Sequence, residues 1–300
     1  MSTFAGAWPT MVTPFDDELK IDCGAYRAMI EWYTHHHVGG LYACCLSSEM
    51  FHLEPEERLL LVREAVRAAQ GRVPVAATGN FGGSLEEHIR CARQMADAGA
   101  DVVMLLVPEF LNSDDELERY YLTLAEQVAA PLGLYECPVP RSFHLSTSLV
   151  ARLARSGRFV AYKETSCDLD KIRAHLAATA GTPLAVLQAN TPLMLDALRA
   201  GSPGSMTIAA IWLPDLVATV IDKARAHDPD AERLQNHLCA MKLAQRSVHP
   251  LGSKYLLGKR GVPIAPVGRA ARALRPETLR ALDYAARTWF DSNGSLLLKL

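Results

Sequence analysis

Two side chains have types and positions suited to carbonyl chemistry: Tyr135, ending Leu132-Gly-Leu-Tyr135, and Lys163, ending Phe159-Val-Ala-Tyr-Lys163. Each segment is a short apolar run of the kind that forms a buried strand. A lysine at the carboxyl end of such a strand sits against apolar walls, where desolvation disfavours the ammonium and lowers its pKa. The neutral amine attacks carbonyl carbon and forms a Schiff base. Tyr135 precedes Lys163 by one βα repeat, which predicts comparable levels on neighbouring strands about 5 Å apart. A phenol there can shuttle protons as a carbinolamine forms and dehydrates. The spacing alone fits equally a core tyrosine with a satisfied hydroxyl, and perturbed lysines also serve structure.

The surrounding elements alternate. Strands are expected at 7–13, 41–46, 73–78, 101–107, 132–135, 158–163, 184–188 and 205–208. Helices are expected at 25–37, from Pro55, from Ser84 to Ala98, from Ser113, and at 146–155, 168–180 and 191–200. Ser84-Leu-Glu-Glu87 and Ser113-Asp-Asp-Glu116 are capping boxes. Non-alternating apolar strands between helices imply a parallel sheet covered on its faces. Eight such units favour a closed (β/α)8 barrel over residues 1–213. Helices at 214–226, 231–246, 250–260 and 276–290 form an extension, 214–300, and Asp291-Ser-Asn-Gly-Ser295 reads as a loose tail.

In a barrel of this type the chemistry gathers at the carboxyl ends of the strands. Ser47 and Ser48 follow the second strand, where a turn of backbone N–H groups can hold a carboxylate, although an ordinary loop reads the same way. Thr165, just past Lys163, and Met206, on the eighth strand, are further candidates to line a substrate. Glu136, Glu109, His52, His144 and Cys167 stand near the expected mouth as selectors of a second substrate or as solvated loop residues. His35-His36-His37 is not read as a metal site, because consecutive helical side chains diverge by about 100°. A favourable charge at a helix C-terminus accounts for it. Gly201-Ser-Pro-Gly204 enters a strand rather than leaving one, so it reads as a turn and not a phosphate cradle.

Met11-Val-Thr-Pro-Phe15, Glu49 after a polar turn, Ala77-Thr-Gly-Asn80, Leu134-Tyr135-x-x-Pro138, Tyr162-Lys163-Glu164 and Ser253-Lys-Tyr-Leu-Leu-Gly258 occur in this order. The set resembles the dihydrodipicolinate synthase / N-acetylneuraminate lyase superfamily over nearly the whole chain. The resemblance implies a TIM barrel, Lys163 as the imine-forming lysine for pyruvate or another 2-oxo acid, Tyr135 as the proton-transfer residue, and a homo-oligomer, dimer or tetramer. Three departures stand out. The family's Gly-x-x-Gly-Glu turn reads Cys45-Leu-Ser-Ser-Glu49, with Leu46 where the synthases carry a hydroxyl. Phe110 aligns with a tyrosine that reaches a neighbouring subunit, and the substrate-binding arginine aligns with Pro140, leaving Arg141 one place on as the candidate.

Composition excludes several classes. A net charge of −2 gives no bias towards nucleic acid or membranes, and no run is long enough to span a bilayer. The N-terminus lacks a basic start and apolar core, so no secretory leader is expected, and Asn293-Gly-Ser295 has no glycosylation context. Seven cysteines without CxxC spacing fit a reducing cytoplasm. The expectation is a cytoplasmic class I lyase, aldolase or dehydratase in type, that joins a 2-oxo acid and an aldehyde through an enamine. It uses no metal and no cofactor beyond the covalent imine on Lys163. Two alternatives stand beside it: condensation of pyruvate with aspartate semialdehyde, and a non-catalytic barrel that binds an oxo acid or sugar acid.

Overall fold

The structure, a computed structural model, describes residues 4–300. Its strands are β1 (Gly6–Ala7), β2 (Leu41–Cys44), β3 (Val75–Thr78), β4 (Val102–Leu106), β5 (Leu132–Tyr135), β6 (Phe159–Glu164), β7 (Ala185–Gln188) and β8 (Gly204–Ser205). The helices between them are α1 (Cys23–His35), α2 (Pro55–Ala69), α3 (Leu85–Asp97), α4 (Asp114–Gln127), α5 (Thr147–Arg155), α6 (Leu169–Ala178) and α7 (Met194–Arg199). Then follow α8 (Pro214–Arg225), α9 (Asp230–Arg246), α10 (Leu251–Lys259) and α11 (Pro276–Trp289). The sheet runs β1-β8-β7-β6-β5-β4-β3-β2 with parallel neighbours. Strands β2 to β5 are buried along their whole length, as strands covered on both faces must be.

Closure depends on the first strand, which is shorter than the 7–13 expected from the sequence. Gly6 and Ala7 pair with β8, and the Trp8 amide still donates to the Ser205 carbonyl at 2.8 Å. Pro9 has no N–H to continue that ladder. The chain instead turns its bonds towards β2: the Tyr42 amide donates to the Pro9 carbonyl (3.1 Å) and the Met11 amide to the Tyr42 carbonyl (3.0 Å). A single parallel bridge between Thr10 and Tyr42 thus joins the first and last strands of the sheet into a barrel. The eighth strand is also shorter than expected. Thr207 accepts from the Ala209 amide and starts a 3-10 turn over Ile208–Ile211.

Local chemistry sets the helix starts. Ser84 and Glu87 cap α3 reciprocally, and Ser113 and Glu116 do the same for α4. Asp22 caps α1, Ser146 caps α5 and Asp168 caps α6. Helix α8 packs against β1 and the 3-10 turn after β8, where the barrel needs its eighth outer helix. The helices beyond the barrel's own eight are therefore α9, α10 and α11. The expectation of a loose tail is corrected. Asp291 accepts from the Asn293 and Ser295 amides, Gly294 supplies a positive φ, and the chain returns to pair Leu296 with Phe290.

The extension is fastened across the barrel mouth by one buried ion pair. Glu49, in the left-handed region at φ 59°, follows the turn after β2 and meets Lys254 of α10 at 2.8 Å. Its second oxygen accepts from the amides of Arg269 (2.7 Å) and Ala270 (2.9 Å). A Cβ at Gly268 would lie 2.7 Å from the carboxylate, so only glycine permits this approach. Lys254 also donates to the Val267 carbonyl. Lys254→Met leaves the Glu49 charge buried and unpaired, and urea unfolding is expected to show a loss of about 3–5 kcal/mol. The double variant with Glu49→Gln recovers part of it.

Candidate functional site

Tyr135 and Lys163 are register partners on β5 and β6. The lysine amine lies 4.1 Å from the centroid of the Tyr135 ring and 5.3 Å from that of Tyr42. Lys163 is only 6% exposed, and its amine has no hydrogen-bond or carboxylate partner among the described residues. Burial pulls its pKa below the usual 10.5, and the neighbouring thiols of Cys45 and Cys137 oppose this only in part. The Tyr135 phenol moves the other way. Burial first, then the Cys137 and Tyr42 neighbours, hold it well above its ordinary value, so it carries its proton. Tyr42 is fixed by its hydroxyl against the Thr78 hydroxyl at 2.9 Å.

A cavity of about 450 Å³ opens over the amine. Of the residues expected there, Lys163, Tyr135, Ser47, Thr165 and Met206 line it, while Ser48 and Arg141 do not. Ser48 turns inward: its hydroxyl donates to the carbonyls of Met11 (2.8 Å) and Ala43 (3.0 Å) and accepts from the Cys45 amide. It pins the turn to the strands beneath. Ser47, one residue earlier, points its hydroxyl towards Thr10 (3.2 Å) and receives the His249 Nε2 edge at 3.0 Å. Arg141 donates to the carbonyls of Pro108 (3.0 Å) and Leu111 (2.8 Å) and covers the Phe143 ring. Its guanidinium braces the loop between β4 and α4.

Glu136 organises the opposite lip. It is almost fully buried and accepts from the Tyr162 hydroxyl (2.5 Å), the Leu145 amide (2.7 Å), the Thr165 amide (3.2 Å) and the His144 ring (3.1 Å). Thr165 also donates through its hydroxyl to the Glu136 carbonyl at 2.7 Å. These bonds hold the loop after β5 to the end of β6 and set Thr165 at the cavity wall. Glu164 is occupied in the same way by the Ser166 amide and Gln188, and burial raises its pKa.

Five polar cavity residues had no forecast role: Ser142, Ser166, Asn190, Arg246 and His249. Ser166 and Asn190 stand just past the carboxyl ends of β6 and β7, where chemistry is expected, and Ser142 lies in the loop between β5 and α5. Arg246 and His249 come from α9 and the segment after it, outside the barrel, where no local pattern points to the mouth. Phe110, 48% exposed, stacks on His88 and lines a separate cavity of about 520 Å³ that contains neither Lys163 nor Tyr135. His35 and His36 each bond a backbone carbonyl one helical turn back. Among the described residues no group of three or more His, Cys, Asp or Glu side chains is placed to hold a metal.

Comparison with known proteins gives a consistent picture. The family model described as "Dihydrodipicolinate synthetase family" matches residues 3–278. The chain is 30% identical over 293 residues to a 4-hydroxy-tetrahydrodipicolinate synthase of Sorangium cellulosum, covering 93% of this chain and 96% of that protein. It is 28% identical to the one of Geobacter metallireducens over 278 residues, 89% and 94% of the two chains. Among solved structures, a dihydrodipicolinate synthase of Bacillus anthracis superposes with a TM-score of 0.88 at 24% identity, covering 95% and 98% of the two chains. YagE, a prophage protein of that synthase family from E. coli K12 solved with pyruvate, superposes at 0.87 with 23% identity over the same shares. At these identities the two structures speak for the fold.

The Glu136 arrangement yields a test. Glu136→Gln replaces an all-acceptor carboxylate by an amide whose NH2 group must face either the Tyr162 and Leu145 donors or the Thr165 amide and His144 ring. The expected cost is about 1–3 kcal/mol in urea unfolding. Restoration of full stability would show that these bonds do not hold the lip.

Proposed function

The chain belongs to the dihydrodipicolinate synthetase family, and on that premise we propose that Lys163 is the amine through which this Schiff-base-forming lyase acts on pyruvate or a related 2-oxo acid. The observation that carries the assignment is the buried, unpaired amine beside a protonated phenol. Neutral Lys163 attacks the keto carbon, and Tyr135 gives its proton to the carbinolamine oxygen, which leaves as water. The resulting iminium withdraws electrons from the adjacent carbon, whose proton passes to the Tyr135 phenolate as the enamine forms. The enamine carbon bonds to an aldehyde carbon while the aldehyde oxygen takes up a proton, and water then hydrolyses the iminium. Run in reverse, the sequence is a cleavage, and the same iminium also supports a dehydration.

Ser47 is the nearest hydroxyl on the β2 turn for the oxo acid's carboxylate, with Thr165 and Met206 shaping the wall. Ser48 and Arg141 act on this reading through the loops they brace. No further cofactor enters the scheme. A cytoplasmic homo-oligomer, dimer or tetramer, belongs to the same reading. Its support is seven free cysteines and the exposed Phe110 on the second cavity. No helix among the described residues is long and apolar enough to cross a membrane. The synthase reaction named for the relatives, with aspartate semialdehyde as the aldehyde, is the second reading, favoured by those names. Against it stand the missing hydroxyls at Leu46 and Phe110 and an Arg141 already engaged by carbonyls.

Incubation with pyruvate followed by borohydride is expected to leave one adduct, located on Lys163 by peptide mass spectrometry. Lys163→Met abolishes it. An adduct on another lysine, or none with any 2-oxo acid, overturns the assignment. The same variant should melt at a higher temperature near neutral pH. A lysine whose folded pKa lies below its unfolded one destabilises the fold fully at pH below the folded value, and the penalty fades as pH rises towards 10.5.

A further inference from the structure

We propose that His249 is a positioning residue for the 2-oxo acid. Its Nε2–H, fixed from the helical extension, donates to the Ser47 oxygen and so leaves the Ser47 proton free for the substrate carboxylate. This deepens the lyase reading and rests on it. The turn after β2 has no other hydroxyl to present. Leu46 carries none, and the Ser48 hydroxyl faces the Met11 and Ala43 carbonyls. The direction of one side-chain proton therefore decides whether this turn's side chains donate to the cavity or not.

That direction is set by a chain of bonds that begins on α9. Gln245, fully buried, donates an amide N–H to the Ser253 hydroxyl at 2.7 Å. Its Oε1 has no partner among the described residues, but the reversed amide would leave the NH2 group unpaired with both its donors. With its oxygen accepting from Gln245, Ser253 gives its proton to His249 Nδ1 at 3.0 Å. The ring proton then stands on Nε2, 3.0 Å from the Ser47 oxygen. The opposite tautomer would place a bare nitrogen there and claim the one Ser47 proton for itself. Burial and then the Lys163, Lys242 and Lys254 charges bring the His249 pKa down to about 4. The ring is thus neutral near pH 7 and adds a donor without a second charge beside Lys163. Without substrate, the Ser47 proton rests on the Thr10 oxygen at 3.2 Å, longer than an ordinary O–H···O bond. A carboxylate oxygen, which only accepts, replaces that weak contact by a charge-assisted one. Lys254, next to Ser253 on α10, is locked to Glu49 at the end of the same turn, so both ends of the chain share one frame.

Two experiments on the full chain test this. In the resting protein, 15N NMR of labelled histidine is expected to show His249 neutral at pH 7 with its proton on Nε2, the signal being assigned by its absence from His249→Gln. A proton on Nδ1 overturns the proposal. In single-turnover borohydride trapping, His249→Leu should raise the half-saturating pyruvate concentration about 10-fold with little change in the rate at saturation. His249→Gln, whose side-chain NH2 reaches the place of Nε2–H, should recover most of that loss. In a Ser47→Ala background His249→Leu should add nothing, because the two side chains act as one unit. Unaltered half-saturation in His249→Leu, or a loss of equal size with and without the Ser47 hydroxyl, overturns the positioning role alone. Failure of the wild type to trap any 2-oxo acid overturns the lyase reading and the positioning role with it.

Discussion

An amine buried without a countercharge is the constraint around which this barrel mouth is arranged. Lys163 meets ring faces and thiols, and no carboxylate pairs with it to offset the lowering of its pKa by burial. The strand ends nonetheless carry three buried glutamates, and each is tied elsewhere. Glu49 is held by Lys254 and two backbone amides, Glu136 by Tyr162 and the Leu145 and Thr165 amides, and Glu164 by Ser166 and Gln188. Each bond set satisfies a buried carboxylate, which is costly to leave unpaired, and fixes a loop. Together they keep negative charge off the one amine whose reactivity depends on staying neutral.

The same bonds connect the extension to the chemistry. Glu49 ends the turn that presents Ser47, and its partner Lys254 lies on α10 directly after the segment that presents His249. The barrel's second turn and the extension thus position one another through a buried pair. Such a pair adds little net stability compared with apolar residues of similar size, but losing one partner is severe. Its value here is geometric, because it fixes which side chains from α9 and the segment after it reach the cavity.

The sequence revealed features that depend on periodicity and missed those that depend on which way a side chain turns. Apolar runs between helices identified a closed barrel, and one-repeat spacing placed Tyr135 beside Lys163. Adjacent Ser47 and Ser48 looked equivalent, yet a 3-10 turn sends one hydroxyl to the cavity and the other to the Met11 and Ala43 carbonyls. Arg141 has the type of a substrate ligand, but the carbonyls of the neighbouring loop claim it first. His249 and Arg246 lie some two hundred positions from the Ser47 turn in the chain, and nothing local to them marks a site. The first strand was overextended because a proline inside an apolar run changes its pairing partner without ending the run.

The central claim is that burial lowers the pKa of the Lys163 amine and so favours the neutral form that attacks. Its most direct test is the pH dependence of single-turnover imine formation with pyruvate. The rate should rise with pH through an inflection below the 10.5 of an ordinary lysine, and Lys163→Met should remove it. An inflection at 10.5 would contradict the account, since the amine would then be reacting from an environment no different from water.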